Sequence, residues 1–310
     1  MKKYLVIFNT CEIQKNNLFL YIKHLESLLK QTTNGFSFDT VVSGCAMHNA
    51  TKTGLQKKFG KRLMYCFMDE IQPVNITFNK AVQEIIKRKG RYDGYLYVDS
   101  GVDVQNHTHA LQEMHKRFVT GKYGIVTLQT NTDMGKENWF GLPTDHVWVG
   151  QDFIVPVGKC INLHFNLYDD RVLQYYGHLI PDIFKAYCTE SVFSFMLAAL
   201  KLQWVVVKDL VIYHTKSADG ATSGFDHLGP KGYWNNLMFG LDMLDILNDP
   251  RARSTGFGYD EWAHIFDHDP SKFDENGFAL DPGLGPFIKE KLFLTPNLFD
   301  YEKYQSETIV

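Results

Sequence analysis

The chain is short of the features that mark a disulfide-framed, membrane-spanning or phosphate-coating protein. Its five cysteines, Cys11, Cys45, Cys66, Cys160 and Cys188, are scattered with no CxxC or other metal-ligand spacing. That excludes a zinc ribbon and a disulfide framework, and it fits reduced thiols in a cytoplasmic compartment. No run approaches the ~20 apolar residues that a membrane-spanning helix needs. Tyr4 to Phe8, after Met1-Lys2-Lys3, is too short an apolar run for a signal peptide, and Asn9-Thr10-Cys11-Glu12 is a poor cleavage site. Neither charge is in excess: Lys and Arg number 32 against 35 Asp and Glu, a formal net charge of −3. A strongly basic nucleic-acid binder is thereby disfavoured. The local clusters Lys57-Lys58 with Lys61-Arg62, and Lys87-Arg88-Lys89 with Arg91, read as solvated helix ends. There is no internal repeat and no low-complexity tract.

What is present is enough apolar text for a sizeable core: 45% of 310 residues, in one large domain or one domain with an appendage. Tyr4 to Phe8 predicts a buried strand. Asn16-Asn17 then caps a helix whose apolar stripe is Leu18, Tyr21, Ile22, Leu25, Leu28 and Leu29. Asn34-Gly35 turns the chain into a second strand over 36–42, closed by Ser43-Gly44. This β-α-β unit is expected to be parallel and right-handed. The polar, basic stretch 46–62 reads as a loop, and Leu63 to Met68 as a short strand. Pro73 leads into a helix with Val74, Phe78, Ala81, Val82, Ile85 and Ile86 on one face, ended by Gly90. A helix over 106–119, a strand over 123–128, a glycine- and polar-rich loop over 131–144, and a strand over 145–155 follow. A helix over 190–202 and a strand over 204–213, interrupted at Lys208-Asp209, complete the main domain. Past Gly232 the composition changes: one amphipathic helix over 233–247, then Asp-Pro punctuation at Asp249, Asp269 and Asp281.

The stretch with the sharpest chemical signature is Tyr92-Asp93-Gly94-Tyr95-Leu96-Tyr97-Val98-Asp99-Ser100-Gly101-Val102-Asp103. An aromatic and β-branched strand ends in two acids split by a glycine. In open α/β sheets the carboxyl ends of the strands are where ligands bind, and carboxylates there suit a hard divalent cation carrying phosphate. Fully extended, Asp99 to Asp103 spans about 13 Å, too far for two ligands of one ion. Either the chain turns at Ser100-Gly101, where glycine tolerates positive φ, or one Asp alone touches the metal. An ordinary strand end with solvated acids explains the same residues. Two further pieces complete an inventory for a metal-bound nucleotide beside an acid–base residue: Glu190 at the start of an apolar helix, and His214 after a late strand.

From about residue 4 to residue 228 the chain resembles the GT-A-fold glycosyltransferases, in the style of their large inverting family-two group. Asn75-Ile76-Thr77-Phe78-Asn79-Lys80-Ala81-Val82 resembles the asparagine-containing helix start before the acidic strand. Tyr95-Leu96-Tyr97-Val98-Asp99-Ser100-Gly101 occupies the DXD position. Thr189-Glu190-Ser191 resembles the motif that supplies the catalytic base, and His214 the downstream metal-binding histidine. The chain departs from the pattern where the second DXD acid falls on Gly101, where Ser191 follows Glu190, and where Ser43-Gly44-Cys45 replaces the acidic stretch after strand two. The resemblance implies an α/β fold with a mixed, mainly parallel sheet flanked by helices, residues 1–228 forming the catalytic domain and 229–310 an appendage packed on it. It also implies transfer of a sugar from a nucleotide-sugar, a UDP-sugar for preference, to an acceptor hydroxyl. Asn9, Thr10, Ser43, Asn79, Asp99 and Ser100 would bind the donor. Asp99, Asp103 and His214 would hold Mn²⁺ or Mg²⁺, and Glu190 would deprotonate the acceptor for an inverting attack. Trp139, Trp148 and Tyr176 offer flat faces to a sugar or base, core packing being the plainer role for each.

Two enzyme readings and one non-enzyme reading compete. A sugar-phosphate nucleotidyltransferase also places acids at a strand end, but Asn9-Thr10-Cys11-Glu12 lacks its glycine-rich, basic signature. A binding module would carry a DXD motif decayed at Gly101. The acceptor is a carbohydrate or glycoconjugate hydroxyl by default. A hydroxymethylated DNA base, as taken by soluble viral enzymes, is the alternative, and the steep salt dependence of phosphate contacts tells them apart.

Overall fold

A computed structural model describes residues 1–12, 17–70, 72, 74–130, 152–158, 164–181, 192–214 and 270–293. Its axis is β1 (Lys2–Cys11), whose stretch Tyr4 to Thr10 is buried. Strand side chains alternate between faces, so a strand buried throughout must be covered on both sides. Leu5 and Ile7 pack with Phe78, Ala81, Val82 and Ile85 of α3 (Val74–Lys89). Tyr4, Val6 and Phe8 pack with Tyr21, Leu25 and Leu28 of α1 (Leu18–Leu29). Around them, α2 (Asn49–Phe59) and α4 (Ala110–Phe118) join α1 on one face. On the other face α5 (Asp170–Tyr176), α6 (Phe193–Ala199) and α7 (Leu284–Leu292) join α3. The result is a three-layer α/β/α body.

The sheet runs β3 (Met64–Met68), β2 (Phe36–Cys45), β1, β4 (Gly94–Asp99), β8 (Phe165–Asp169), β6 (Tyr123–Thr130), β9 (Gln203–His214) and β5 (Val102–Asp103), with β7 (Phe153–Ile154) pairing on β9. The first four strands are mutually parallel, as are β6 and β9; β8 runs against both of its neighbours. The parallel register puts Asn9, Ser43 and Asp99 side by side at one end of the sheet. Gly90, at φ 81°, ends α3 with its N–H on the Ile86 carbonyl at 2.8 Å, the left-handed cap expected of it.

Several expectations need adjusting. The stretch 46–62 is not a loop: it holds α2, which buries Thr51, Leu55 and Phe59 at four-residue spacing and leaves Lys57 and Lys58 exposed. The helix expected over 106–119 is limited to Ala110–Phe118. The interruption at Lys208-Asp209 is real: pairing with β6 jumps from Val207 to Val211 between Leu128 and Gln129. The loop over 131–144, most of the strand over 145–155 and the helix over 233–247 lie outside the described residues. Within 270–293, Ile288 is buried and Phe273, Phe287 and Phe293 pack against the α3–α6 core. Among the described residues no helix is long and apolar enough to cross a membrane.

Two packed histidines make the fold sensitive to mild acid. His115 shares a 2.7 Å hydrogen bond with the Tyr4 hydroxyl and lies against Phe36; His178 accepts from Gln83 and lies along Phe293. Burial pushes both imidazoles below their ordinary pKa of 6.5. The unfolded chain therefore takes up protons first, so stability is full above about pH 6.5 and falls as pH drops toward the folded values. Thermal unfolding should show a midpoint that declines from pH 7.5 to 5.5. A flat profile, or one unchanged in the double variant H115N/H178N, contradicts this assignment.

Candidate metal and donor site

Asp99 is the last residue of β4, where the buried run stops. Its Oδ1 accepts the Gly101 N–H at 2.8 Å, a side-chain turn that bends the chain at Ser100-Gly101 into β5. Gly101 is not among the glycines at positive φ, so the aspartate, rather than a left-handed glycine, makes the turn. The long strand β9 brings His214 to the same rim, with Val102 of β5 as its antiparallel partner. His214 Nε2 lies 3.3 Å from Asp99 Oδ1. His164 precedes β8; its carbonyl accepts the Asp99 N–H at 2.9 Å, and its ring stacks on His214 at 4.1 Å. One donor atom from each of Asp99, His164 and His214 lies within 4.8 Å of the others.

Burial of the Asp99 carboxyl group pushes its pKa up. The hydrogen bond from His214, the nearby His214 and His164 rings and the Gly101 N–H outweigh burial and bring it down to about 2. The group is a ready anion at any physiological pH. Two donors on one ion at ~2.1 Å each lie at most about 4.2 Å apart, so the trio needs little closing to share a cation. Two imidazoles and one carboxylate suit Mn²⁺ and its first-row neighbours; Mg²⁺ favours oxygen donors.

The other residues singled out in the sequence divide into two groups. Asn9 and Ser100 belong to the rim: the Ser100 N–H donates to the Asn9 carbonyl at 3.1 Å. The Asn9 amide donates to the Val74 carbonyl, while its Oδ1, on a side chain only 6% exposed, has no hydrogen-bond partner among the described residues. Thr10 is buried against the Tyr21 hydroxyl. Ser43, by contrast, is fully buried and donates to the Thr77 carbonyl at 2.9 Å, tying β2 to α3. Asp103 stands apart from the trio: it pairs with Lys23 at 2.7 Å and accepts the Gln105 N–H at 2.8 Å. Tyr176 is core, its hydroxyl on the Met196 carbonyl and its ring stacked on Phe293 at 4.8 Å, so it presents no open face to a sugar. Glu190, Trp139 and Trp148 lie outside the described residues.

The architecture is shared with solved enzymes. A mannosyltransferase from Pyrobaculum calidifontis, solved with GDP-Man and Mn²⁺, superposes with a TM-score of 0.52 at 10% identity, over 94% of this chain and 73% of that one. S. aureus TarS residues 1–349, solved with UDP, gives 0.52 at 13% identity over 97% and 95%. The same TarS segment with UDP-GlcNAc gives 0.50 at 16% identity over 86% and 70%. The chain has a GT-A glycosyltransferase fold. No protein-family model and no curated protein matches the sequence.

In this GT-A sheet, Asn79 is a scaffold residue of the rim. From α3 its amide donates to the Ile180 carbonyl at 2.7 Å, and its Oδ1 accepts the Leu179 and Ile180 N–H groups at 3.3 Å each. Asn75, one turn earlier, donates to the Pro181 carbonyl at 2.9 Å. Asn79→Ala strands buried backbone groups and should cost about 2–4 kcal/mol, read as a lower urea midpoint at unchanged slope. A loss below ~0.5 kcal/mol, the size of an ordinary surface change, would mean the 179–181 segment is held by other means.

Sequence reading missed three residues of the GT-A rim. His164 lies 65 positions from Asp99 with no spacing rule to link them; the signal was its place before the apolar strand Phe165–Tyr168. His24, fully buried, donates from Nδ1 to the Ser100 carbonyl at 2.7 Å, fixing the turn from beneath. Glu12, 1% exposed, accepts from Asn17 N and Thr51 Oγ1 through one oxygen and from His48 N through the other. It anchors the start of both α1 and α2 to the end of β1, where negative charge favours the positive helix ends.

Proposed function

We propose that the chain is a glycosyltransferase that moves a sugar from a nucleotide-sugar, with UDP-sugars the first donors to test, onto a carbohydrate or glycoconjugate hydroxyl. The observation that carries this reading is the convergence of Asp99, His164 and His214 at the carboxyl rim of a GT-A sheet. These three side chains would hold a divalent cation, His164 taking the place that the family resemblance gave to Asp103. When bound, such a cation offsets the charge that develops on a diphosphate as it leaves.

The remaining work falls to protein groups. Asn9 Oδ1 is a buried acceptor beside Asp99 and suits an N–H or O–H of the nucleoside. An unfilled buried acceptor costs about 1–3 kcal/mol, which a donor from the ligand relieves. Ser100 and Gly101 N–H groups are engaged by Asn9 and Asp99, so the turn is set before ligand arrives. Glu190 takes the acceptor hydroxyl proton; the oxygen bonds to the anomeric carbon as the carbon–oxygen bond to the diphosphate breaks. The nucleoside diphosphate departs and configuration inverts.

The test is a panel of nucleotide-sugars with and without Mn²⁺, read by release of free nucleotide. Slow hydrolysis of one donor, dependent on the metal, is the expected result. Pyrophosphate released from a nucleoside triphosphate would instead favour a nucleotidyltransferase. Calorimetry that finds no binding of any donor or nucleotide overturns the proposal.

A further inference from the structure

Cys11 and Cys45 are the last residues of β1 and β2 and stand as direct register partners. Adjacent strands lie about 4.8 Å apart, inside the Cα range of 4.4–6.8 Å that a disulfide accepts. Registered neighbours send their side chains to the same face, which sets the two thiols side by side. Cys11 is half-buried and Cys45 buried, and neither is in a disulfide. The thiol of Cys45 also donates to the Gln72 carbonyl at 3.5 Å. Directly beyond the pair, Ala46 adopts a left-handed φ of 49° and β2 ends.

We propose that Cys11 and Cys45 are a redox modification site, oxidised by low-molecular-weight disulfides to a reversible cross-strand bond. The Cys11 thiolate attacks one sulfur of the small disulfide, giving a mixed disulfide and one released thiol. The Cys45 thiolate then attacks the Cys11 sulfur, forming the protein bond and releasing the second thiol. Two protein thiols are oxidised, one small disulfide is reduced, and the two protein protons end on the released thiols. Strand spacing exceeds the usual Cβ separation of about 3.8 Å, so the bond forms under strain, the condition that makes a disulfide labile and suited to control.

Resting on the glycosyltransferase reading, the bond has a consequence for donor binding. It removes the Cys45 hydrogen bond to Gln72, two residues before α3, and the first α3 carbonyl, Val74, holds the Asn9 amide. It also shifts the Cys45 carbonyl that accepts the Glu12 N–H at 3.3 Å. Oxidation thus loosens the strand end that presents Asn9.

The experiment treats the full chain with oxidised glutathione and maps peptides by mass. The expected product lacks two hydrogens and links Cys11 to Cys45. C45S should instead stop at a glutathione adduct on Cys11. Calorimetry with UDP and Mn²⁺ should show affinity about tenfold weaker in the oxidised protein, restored by reductant and insensitive to oxidant in C11S, which lacks the attacking thiol. Failure of the Cys11–Cys45 link to form, with glutathione retained on wild-type Cys11, overturns the site. A link that leaves UDP affinity unchanged overturns its control of donor binding. If UDP binds in neither redox state, the glycosyltransferase reading fails, while the mass result still decides the disulfide.

Discussion

Asp99→Asn should lower metal-dependent turnover by about 10³-fold or more while the chain stays folded. The amide keeps an oxygen for the Gly101 N–H, so the turn survives. What it loses is the negative charge that the two imidazoles face and that a cation requires. The same substitution should abolish high-affinity Mn²⁺ binding, followed by the electron paramagnetic resonance of free Mn²⁺, which disappears on binding to wild type. His164→Ala provides the complementary arm, because Asp103 competes with it for the third position: loss of Mn²⁺ binding in H164A with retention in D103N supports the trio. Equal loss in both, or retention in D99N, removes the trio from metal binding. Acid gives an independent check. Because the Asp99 pKa is depressed from 3.8 to about 2, its contribution to apo stability is complete above about pH 4 and lost as pH falls through 2. In D99N that acid-dependent component should be missing.

Glu190→Gln carries the second large effect. Gln preserves size and hydrogen bonding but cannot accept the hydroxyl proton, and general-base catalysis contributes about 10²–10⁴-fold. Transfer to an acceptor should fall by that factor while UDP and Mn²⁺ still bind with wild-type affinity by calorimetry. The split between intact binding and lost transfer separates a base from a structural acid, whose removal would weaken both. Full transfer activity in E190Q assigns the proton to another group.

Much of the fold was legible because its strands are buried on both faces. The run Tyr4 to Phe8 and the run Gly94 to Val98 admit few alternatives once each is bounded by polar residues. The end of α3 was legible from Gly90. The helix α2 was not, because its inward stripe is only Thr51, Leu55 and Phe59, too thin against a basic background. The site was legible in part. Asp99 and His214 were readable as an acid and an imidazole at strand ends, and the two do meet at 3.3 Å. His164 showed only as a residue before an apolar strand, because its approach to Asp99 depends on β8 lying antiparallel beside β4, a pairing that no local pattern encodes. Asn79 and Ser43 drew attention as polar residues near the rim, yet both spend their side chains on backbone groups.

The reversed strand β8 joins two parallel blocks, β3-β2-β1-β4 on one side and β6-β9 on the other. Asp99 arrives with the first block, His164 with the connecting strand and His214 with the second. An ion held by all three would therefore act as a rivet across the seam, present only after the last block has docked. A nascent chain that has assembled only its first block carries Asp99 without either imidazole, and so lacks two of the three donors that such an ion would need.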